Sequence, residues 1–304
     1  MIYFAKNIWP VLKKDIIEIF AFLGILWTIK EVIEYILPKN NLPIKNFFIL
    51  MLLVGIIVIV IKNRPKKEYP FLIKNKDIKL KLVVGDLLKQ KASLIVPTNS
   101  TFDTKMENDF ISLNSVQGQI QNKYFKNNLK TLDILLEEGL KNREFKELTD
   151  RKNSKTKQYD IGTTVEINQQ GKRFYFVADS NINAQGQTIA PSLSNITDAL
   201  SRLWQYISEY GHVETIAIPI MGTGRMGIIN SREEIIKQII FSFVVNNNTK
   251  KIANELIICI RKEDIKKFNI DIQEIVEYLK FMCKFQYTNE NTYNNIGIGI
   301  GIEK

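Results

Sequence analysis

The chain has 304 residues, of which 45% are hydrophobic, so it is long enough for one ordinary domain with a smaller segment beside it. Its formal net charge of +10 is shared equally between residues 1–70 and the much longer remainder, so the larger part is only mildly basic and nucleic acid is not expected as a partner. Two cysteines, Cys259 and Cys283, lie in apolar patterns without metal-ligand spacing and predict buried thiols in a reduced compartment; with His212 as the single histidine, a metal site is not expected.

The first 62 residues contain two apolar segments separated by a turn. Residues 44–61 are apolar after their first three positions and would span about 27 Å as a helix, which is close to the thickness of a hydrocarbon core. Residues 16–37 are also apolar, and three charges interrupt them: Lys30, Glu31 and Glu34. We predict a two-helix transmembrane hairpin over residues 1–62. The alternative for the first segment is an amphipathic helix at the membrane interface, and a cleaved signal peptide fits less well.

Positive charge flanks this hairpin on both sides. The basic residues are Lys13, Lys14, Lys62, Arg64, Lys66 and Lys67. The positive-inside rule then places the N-terminus and everything after the hairpin in the cytoplasm. We therefore predict a multi-pass protein of the inner (cytoplasmic) membrane of a bacterium. A basic, proline-bounded linker over residues 63–77 would join the hairpin to a soluble cytoplasmic domain.

Residues 78–285 alternate between strand-like and helix-like patterns. Short β-branched runs predict strands at Ile78–Val84, Ser93–Pro97, Ile161–Ile167, Arg173–Ala178, Thr215–Ile220 and Glu255–Ile260. Apolar periodicity and capping residues predict helices at Glu107–Phe125, Leu129–Phe145, Leu193–Tyr210, Ser231–Val245 and Ile272–Lys284. The alternation predicts an α/β domain with a mixed sheet, in which ligands bind where strand ends meet.

Two segments have other patterns. Lys141 to Lys157 is the densest cationic stretch of this domain, but acidic residues and Asn153 interrupt it, so we interpret it as a solvated loop. In the tail, residues 286–304, Ile296 to Ile302 alternates isoleucine with glycine. This period of two is typical of an added edge strand, and a disordered end is the alternative.

A glycine-rich loop follows the predicted strand Thr215–Ile220. Its residues are Met221, Gly222, Thr223, Gly224, Arg225, Met226 and Gly227. Three glycines in six residues allow backbone N–H groups to converge on one point, and the helix predicted from Ser231 adds partial positive charge there. This chemistry suits a diphosphate. No Gly-Lys-Ser/Thr follows, so the loop is not a P-loop, and a tight turn without a ligand is the alternative.

Three further loops share this edge of the predicted sheet and contain polar residues at strand ends. They are Gly85 to Leu88, Pro97 to Ser100 and Ala178 to Asn181. With the glycine loop, their order and spacing resemble a macro domain, the ADP-ribose-binding fold, over roughly Ile78 to Lys284. The resemblance implies a three-layer α/β fold and an ADP-ribose derivative as ligand, without a separate cofactor.

The resemblance also implies a role for each motif. Asp86 would accept a hydrogen bond from the adenine amino group, Asn99 would contact the distal ribose, and the glycine loop would wrap the diphosphate. The alternatives are a helix N-cap for Asp86 and an Asx turn for Asn99. The full set of expected ligand-binding residues is Asp86, Leu87, Thr98, Asn99, Ser100, Gly118, Asp179, Met221, Gly222, Thr223, Gly224, Arg225, Met226 and Gly227.

The chain departs from hydrolytic macro domains at Ser115 to Gln121. Those relatives have a glycine-rich run followed by a catalytic residue, whereas only Gly118 survives here and no carboxylate or histidine replaces the rest. Asp103 and Glu107 are the nearby acids in sequence. The departure implies binding without turnover, so no catalytic residue and no metal are predicted.

A membrane hairpin followed by a macro-like domain resembles the membrane-anchored effectors of Thoeris-type bacterial antiphage systems. The resemblance implies a TIR-domain partner enzyme that converts NAD into an ADP-ribose-derived messenger, expected as a histidine conjugate. Binding of the messenger would drive homo-oligomerisation and membrane damage in abortive infection. One alternative is a membrane-tethered ADP-ribosyl hydrolase that acts through Asn99 and Asp103. The other is an anchored domain with an unused cleft that acts through protein contacts alone.

Overall fold

The described residues of Lys67–Lys304 form a mixed sheet of seven strands and a separate strand pair in the computed structural model. In chain order the strands are β1 (Glu68–Leu72), β2 (Lys79–Val84), β3 (Ser93–Asn99), β4 (Lys146–Glu147), β5 (Lys157–Gln158), β6 (Thr164–Gln169), β7 (Lys172–Ser180), β8 (Thr215–Pro219) and β9 (Glu255–Ile260). The large sheet has the order β1-β2-β9-β8-β3-β7-β6, and β4 pairs with β5. Its inner strands are parallel and both edge strands are antiparallel to their neighbours.

The chain divides into two compact units, Met1–Lys66 and Lys67–Lys304. In the second unit the structure describes residues 67–284 apart from 75, 107–110, 127, 150, 152–154, 184–187 and 223–230, with only the backbone of 249. In the first it describes positions 21, 24, 25, 27, 28, 30–32, 34–36, 49, 53–55, 57 and 66. Most of the predicted glycine loop and the alternating tail therefore lie outside the described residues.

Helices cover both faces of the sheet. They are α1 (Val116–Tyr124), α2 (Leu129–Leu140), α3 (Leu193–Tyr210), α4 (Arg232–Thr249), α5 (Lys262–Phe268) and α6 (Ile272–Lys284). Side chains along a strand alternate between faces, so Ile95 of β3 packs with the core residues of α3, α4 and α6. Its neighbours Leu94 and Val96 pack with those of α1 and α2. The result is the predicted α/β arrangement of helices on both sides of a mixed sheet.

Several element boundaries were predicted correctly and others were not. Helices α3 and α6 have the predicted limits, and Ser192 caps α3 through a reciprocal pair of hydrogen bonds with Asn195. Within the described part of the helix predicted over 107–125, the helix begins at Val116, because Ser115 accepts the Gly118 N–H as its N-cap. Strand β1 lies within the residues predicted as a linker, and α5 was not predicted.

Both cysteines are buried and free, as predicted. Cys259 lies on β9 and Cys283 near the end of α6, each among core side chains. Burial raises the pKa of Cys259 to about 12 and that of Cys283 to about 11, because a thiolate is poorly solvated there.

The prediction of a multi-pass inner-membrane protein is wrong. Among the residues that the structure describes, none belongs to a helix that is both long enough and apolar enough to cross a membrane. The described helical positions of the first unit include a Lys30–Glu34 ion pair at 2.6 Å, and Trp27 Nε1 donates to Glu31 at 2.8 Å. Three charges within five residues interrupt the apolar run, and charges are costly inside a hydrocarbon core. The remaining positions of both predicted spans lie largely outside the described part of the chain.

Candidate functional site

The predicted site loops meet at one edge of the sheet. Because β2, β3, β7, β8 and β9 are parallel, their C-terminal ends lie along the same edge. Val84 is paired with Ile260, Pro219 with Cys259, and Asn99 with Ser180 after a bulge. The residues that follow these strands are therefore neighbours in space although they are far apart in sequence. This is the position at which ligands bind in sheets of this kind.

Gly222 and Asp179 connect two of these loops. The Gly222 N–H donates to Asp179 Oδ2 at 3.0 Å. Gly222 has φ +66, and a Cβ there would lie 2.9 Å from Cγ of Pro191 and 3.1 Å from Cδ1 of Ile196. Only glycine fits this position, both by its backbone conformation and by space. The start of the glycine loop is thus fixed against β7 and α3, and the preceding Met221 is fully buried in the core.

Asp179 is an unusual carboxylate because it is buried. Burial raises its pKa to about 6, while hydrogen bonds from the Gly222 N–H and the Ser180 side chain act in the opposite direction. The Gly222 and Ser180 donors therefore offset part of the cost of the buried charge. At neutral pH the carboxylate is ionised, which strengthens its hydrogen bond to the glycine loop.

Asp86 caps the short 3-10 turn Leu87–Lys89. Its Oδ1 accepts the Leu88 N–H at 2.9 Å, which is the N-cap alternative of the sequence analysis. The Asp86 side chain is exposed at the edge of the sheet, whereas Leu87 points into the core with 5% exposure. A carboxylate has two oxygens, so capping through Oδ1 leaves Oδ2 able to accept from an adenine amino group. The adenine role of Asp86 stays a prediction.

The Asn99 side chain is buried and hydrogen bonded within its own loop. Its Nδ2 donates to Asp103 Oδ2 at 2.9 Å, and its Oδ1 accepts the Asp103 N–H at 3.1 Å. The Asx turn that was the alternative for Asn99 uses the N–H two residues on, whereas Asn99 Oδ1 accepts the N–H four residues on. The two hydrogen bonds fix which end of the amide is nitrogen and which is oxygen. The amide nitrogen has a second hydrogen, so contact with a ribose stays a prediction.

Arg151 is a residue of this site that the sequence analysis missed. Its Nη2 donates to Asp103 Oδ2 at 2.6 Å and its Nη1 donates to Thr101 Oγ1 at 2.9 Å, and both side chains of the ion pair are 4% exposed. The segment Lys141 to Lys157 was interpreted as a solvated loop, but β4 lies within it and pairs with β5, which begins at its last residue. Phe145 of this segment and Tyr159, two residues beyond its end, have ring centroids 6.0 Å apart, and these aromatic residues are the sequence signal that could have indicated a folded segment.

Thr98 and Ser100 flank Asn99 and are buried. The Thr98 hydroxyl has no hydrogen-bond partner among the described residues, so it is a buried oxygen beside the loop. The Ser100 N–H donates to the Ser180 carbonyl at 2.8 Å, and its own carbonyl accepts the Tyr159 N–H at 2.8 Å. Ser100 thus joins the strand ends of β3 and β7 to the segment after β5.

Gly118 lies at the start of α1, where the chain packs closely. A Cβ on Gly118 would be 2.1 Å from the Ser112 carbonyl oxygen, so glycine is required for packing alone. On the same helix, Gln117 Nε2 donates to the Asp103 carbonyl at 2.6 Å and Gln121 Nε2 to the Thr104 carbonyl at 3.1 Å. Amides rather than carboxylates therefore contact the loop after β3 from this helix.

Five of the expected ligand residues lie outside the described part of the chain. They are Thr223, Gly224, Arg225, Met226 and Gly227. Beyond them, Ser231 caps α4 by accepting the Glu234 N–H at 3.2 Å. Arg232 follows with 8% exposure and lies 4.3 Å above the Phe268 ring, so a buried cation stands at the start of this helix. Burial lowers the pKa of Arg232, because the cation loses solvation.

Titratable clusters suited to a metal are absent from the described residues: no group of three or more His, Cys, Asp or Glu residues could hold an ion there. The polar groups at this edge are instead single carboxylates, amides and backbone N–H groups. Groups of these kinds can form hydrogen bonds with a polar organic ligand.

Comparison with known proteins identifies the family. A profile described as "Thoeris protein ThsA, Macro domain" matches residues 80–261. Similar solved structures include an Oceanobacillus iheyensis macrodomain with ADP, at 15% identity over 70% of this chain and 97% of that one, with a TM-score of 0.45. The same macrodomain with MES bound is similar at 14% identity over 70% and 97%, with a TM-score of 0.44. A tomato leucine aminopeptidase mutant is similar at 14% identity over 70% of this chain and 37% of that one, with a TM-score of 0.39.

No curated protein matches the chain. The match to the profile covers more than half of the 304 residues and extends from β2 to the end of β9. It therefore contains all the strand ends that form the site. The chain belongs to the family described as Thoeris protein ThsA, Macro domain.

Proposed function

We propose that this protein is a Thoeris sensor that binds an ADP-ribose-derived nucleotide at the C-terminal edge of its sheet and does not turn it over. Membership of the ThsA macro domain family supports the ligand class. The observation that carries the proposal is the hydrogen bond from Gly222 to the buried Asp179. It fixes the first glycine of the predicted diphosphate loop in a conformation that other residues rarely adopt.

The ligand would extend along this edge. Asp86 would accept from the adenine amino group, the loop from Gly222 to Gly227 would bind the diphosphate, and Asn99 would contact the distal ribose. Asp86 lies just after β2 and Asn99 is the last residue of β3, and β9 and β8 lie between these two strands. At about 4.8 Å between strands, that separation is roughly 14 Å, which suits an extended dinucleotide-sized ligand.

Binding without turnover is proposed because the candidate base is already engaged. Asp103, the acid on which a hydrolase would depend, is buried in an ion pair with Arg151 at 2.6 Å. It also accepts from Asn99 Nδ2 at 2.9 Å. Both oxygens of this carboxylate accept hydrogen bonds from Arg151, Thr101 or Asn99, so neither is free to hold an attacking water. The amide of Gln117 contacts the same loop and offers no proton acceptor of useful basicity.

The proposed signal is a messenger made from NAD by a TIR-domain partner enzyme, with the histidine conjugate of ADP-ribose as the preferred form. Binding would shift an equilibrium between oligomeric states in antiviral defence. A ligand can shift such an equilibrium only by its different affinity for the two states. The proposed mechanism therefore requires that the domain with bound ligand associates with a second copy more strongly than the domain without ligand.

Two measurements on the full chain test this function. The first is chromatographic analysis after incubation with ADP-ribose, its histidine conjugate and a mono-ADP-ribosylated protein, for which we expect no product. The second is sedimentation velocity with and without the conjugate, for which we expect a larger species only with the nucleotide. Steady release of ADP-ribose from the modified protein would favour the hydrolase instead. An unchanged sedimentation coefficient at saturation would contradict the sensor.

A further inference from the structure

The loop after β3 is held in a strained conformation. Phe102 has φ +50, which is the left-handed region, and its ring is fully buried. A bulky residue adopts this backbone conformation only when its surroundings require it. The ring packs edge to face on Tyr159 with centroids 5.8 Å apart. Such strain is maintained by interactions elsewhere, and the buried polar groups on either side of Phe102 provide them.

Asp103 is the centre of these polar groups. Its carboxylate accepts from Arg151 Nη2 at 2.6 Å, from Arg151 Nη1 at 3.1 Å, from Thr101 Oγ1 at 2.7 Å and from Asn99 Nδ2 at 2.9 Å. The two bonds from Arg151 form the fork-like geometry that guanidinium groups make with carboxylates. Arg151 thus fixes the carboxylate, and the carboxylate fixes the Asn99 amide.

Arg151 acts through Asp103. Its Nη2 is used by Asp103, while its Nη1 contacts Asp103, Thr101 and the Lys155 carbonyl at 2.6 Å. The side chain comes from the β4 to β5 segment, which is 48 residues away from Asp103 in sequence. Without this cation, the buried carboxylate would lose the ion pair that holds it in place and would rearrange. The rearrangement removes the acceptor that orients Asn99.

We propose that Arg151 is a positioning residue for the distal end of the nucleotide. It orients the Asn99 amide, through Asp103, so that the second Nδ2 hydrogen is presented to the distal ribose. Arg151 thereby sets the preference for ADP-ribose over ADP, which has no distal ribose. This inference rests on the proposed function, since it takes Asn99 as the residue that meets this ribose.

The test compares the affinities of ADP-ribose and ADP for the full-length protein by calorimetry. Arg151→Met is expected to lower the affinity for ADP-ribose about five- to tenfold, the loss expected for one hydrogen bond, and to leave that for ADP within about twofold. Arg151→Lys restores the charge but not the fork, so its preference should lie between those of Arg151→Met and the wild type. If Arg151→Met does not fold, Arg151→Lys decides the question.

Ile207→Ala is the matched control for lost stability. Ile207 is buried in α3, about 16 Å along the helix from Ile196, which is the residue of α3 beside Gly222. The substitution Ile207→Ala therefore destabilises the core at a distance from the site. Its ADP-ribose to ADP ratio should equal that of the wild type. The ratio separates positioning from a purely structural role, because general loosening lowers both affinities together.

The outcomes separate this inference from the proposed function. If the wild type prefers ADP-ribose and the folded Arg151 variants keep this preference, the positioning role of Arg151 is overturned. The proposed function is unaffected by that result. Equal losses for both nucleotides in the Arg151 variants also overturn the positioning role. A wild type that binds neither nucleotide contradicts the proposed function, and the inference with it.

Discussion

The backbone N–H of Gly222 donates to the buried carboxylate of Asp179 at 3.0 Å, joining the loop after β8 to the end of β7. The carboxylate lies in an environment that disfavours its charge, and the glycine has a backbone conformation that disfavours other residues. The buried charge is costly, whereas a positive φ costs glycine little, and the hydrogen bond between the two holds the first glycine of the predicted diphosphate loop in place.

Stability should fall as the pH rises through the titration of Asp179. Its pKa in the folded protein is about 6, above the value of 3.8 for an unperturbed aspartate, so between these values the folded state binds more protons than the unfolded state. The free energy of unfolding should therefore decrease from about pH 4 to about pH 6, by on the order of 3 kcal/mol. Above about pH 6 the full loss of stability caused by the buried charge is present.

The measurement is urea unfolding of the wild type and Asp179→Asn between pH 4 and pH 7. The asparagine keeps an oxygen for the Gly222 N–H and cannot titrate in this range. The difference in stability between variant and wild type should grow in favour of the variant as the pH rises. Parallel profiles would show that the buried carboxylate contributes nothing to the pH dependence.

Gly222→Ala should destabilise the protein more than Gly171→Ala. Both glycines have positive φ, +66 and +69, so both substitutions introduce a similar backbone strain of about 1 kcal/mol or more. Gly171 has open space around it, whereas a Cβ on Gly222 meets Pro191 at 2.9 Å. Chemical unfolding measures the difference, and calorimetry should show weaker ADP-ribose binding for Gly222→Ala alone. Equal stability loss in the two variants would contradict the close packing of the loop.

Asp86→Asn should separate the capping role of Asp86 from its proposed ligand role. Asparagine is as good an N-cap as aspartate, so the free energy of unfolding should change by less than about 0.5 kcal/mol. The substitution removes one of two acceptor oxygens and adds a donor, which opposes the adenine amino group. We therefore expect weaker binding of ADP-ribose and unchanged binding of ribose 5-phosphate, which has no adenine. If both ligands weaken alike, Asp86 does not contact adenine.

Neither cysteine should react in the folded protein. Burial raises the pKa of Cys259 to about 12 and that of Cys283 to about 11, and the thiolate is the reactive form. Mass spectrometry after treatment with iodoacetamide at pH 8 should show no modification in native protein and two modifications after unfolding. Rapid modification of native Cys259 would mean that β9 opens readily at the site edge.

The sequence predicts those helices and strands whose apolar residues show a helix-like or strand-like pattern. The runs that became β3 and β9 are β-branched and of strand length, and the helix Leu193–Tyr210 is amphipathic with a serine before it. The parallel pairing seen in the structure then brings Asp86, Asn99 and Gly222 to one edge. These are the features for which local pattern and final structure agree.

Other features depend on contacts that leave no local pattern. Strand β1 has five residues with a glutamate and a proline, and only its pairing with β2 gives it a strand conformation. The Arg151–Asp103 pair joins two loops, so the cationic surroundings of Arg151 suggested a solvated segment. The membrane prediction relied on hydropathy and gave too little weight to Lys30 and its partner Glu34.

Calorimetric titration of the full-length protein with ADP-ribose and with its histidine conjugate, followed by product analysis of the same samples, tests the central claim most directly. The account predicts saturable binding of one nucleotide per chain, tighter for the conjugate, with both ligands recovered unchanged. Absence of binding to either nucleotide, or recovery of cleaved product, would contradict a sensor that binds without turnover.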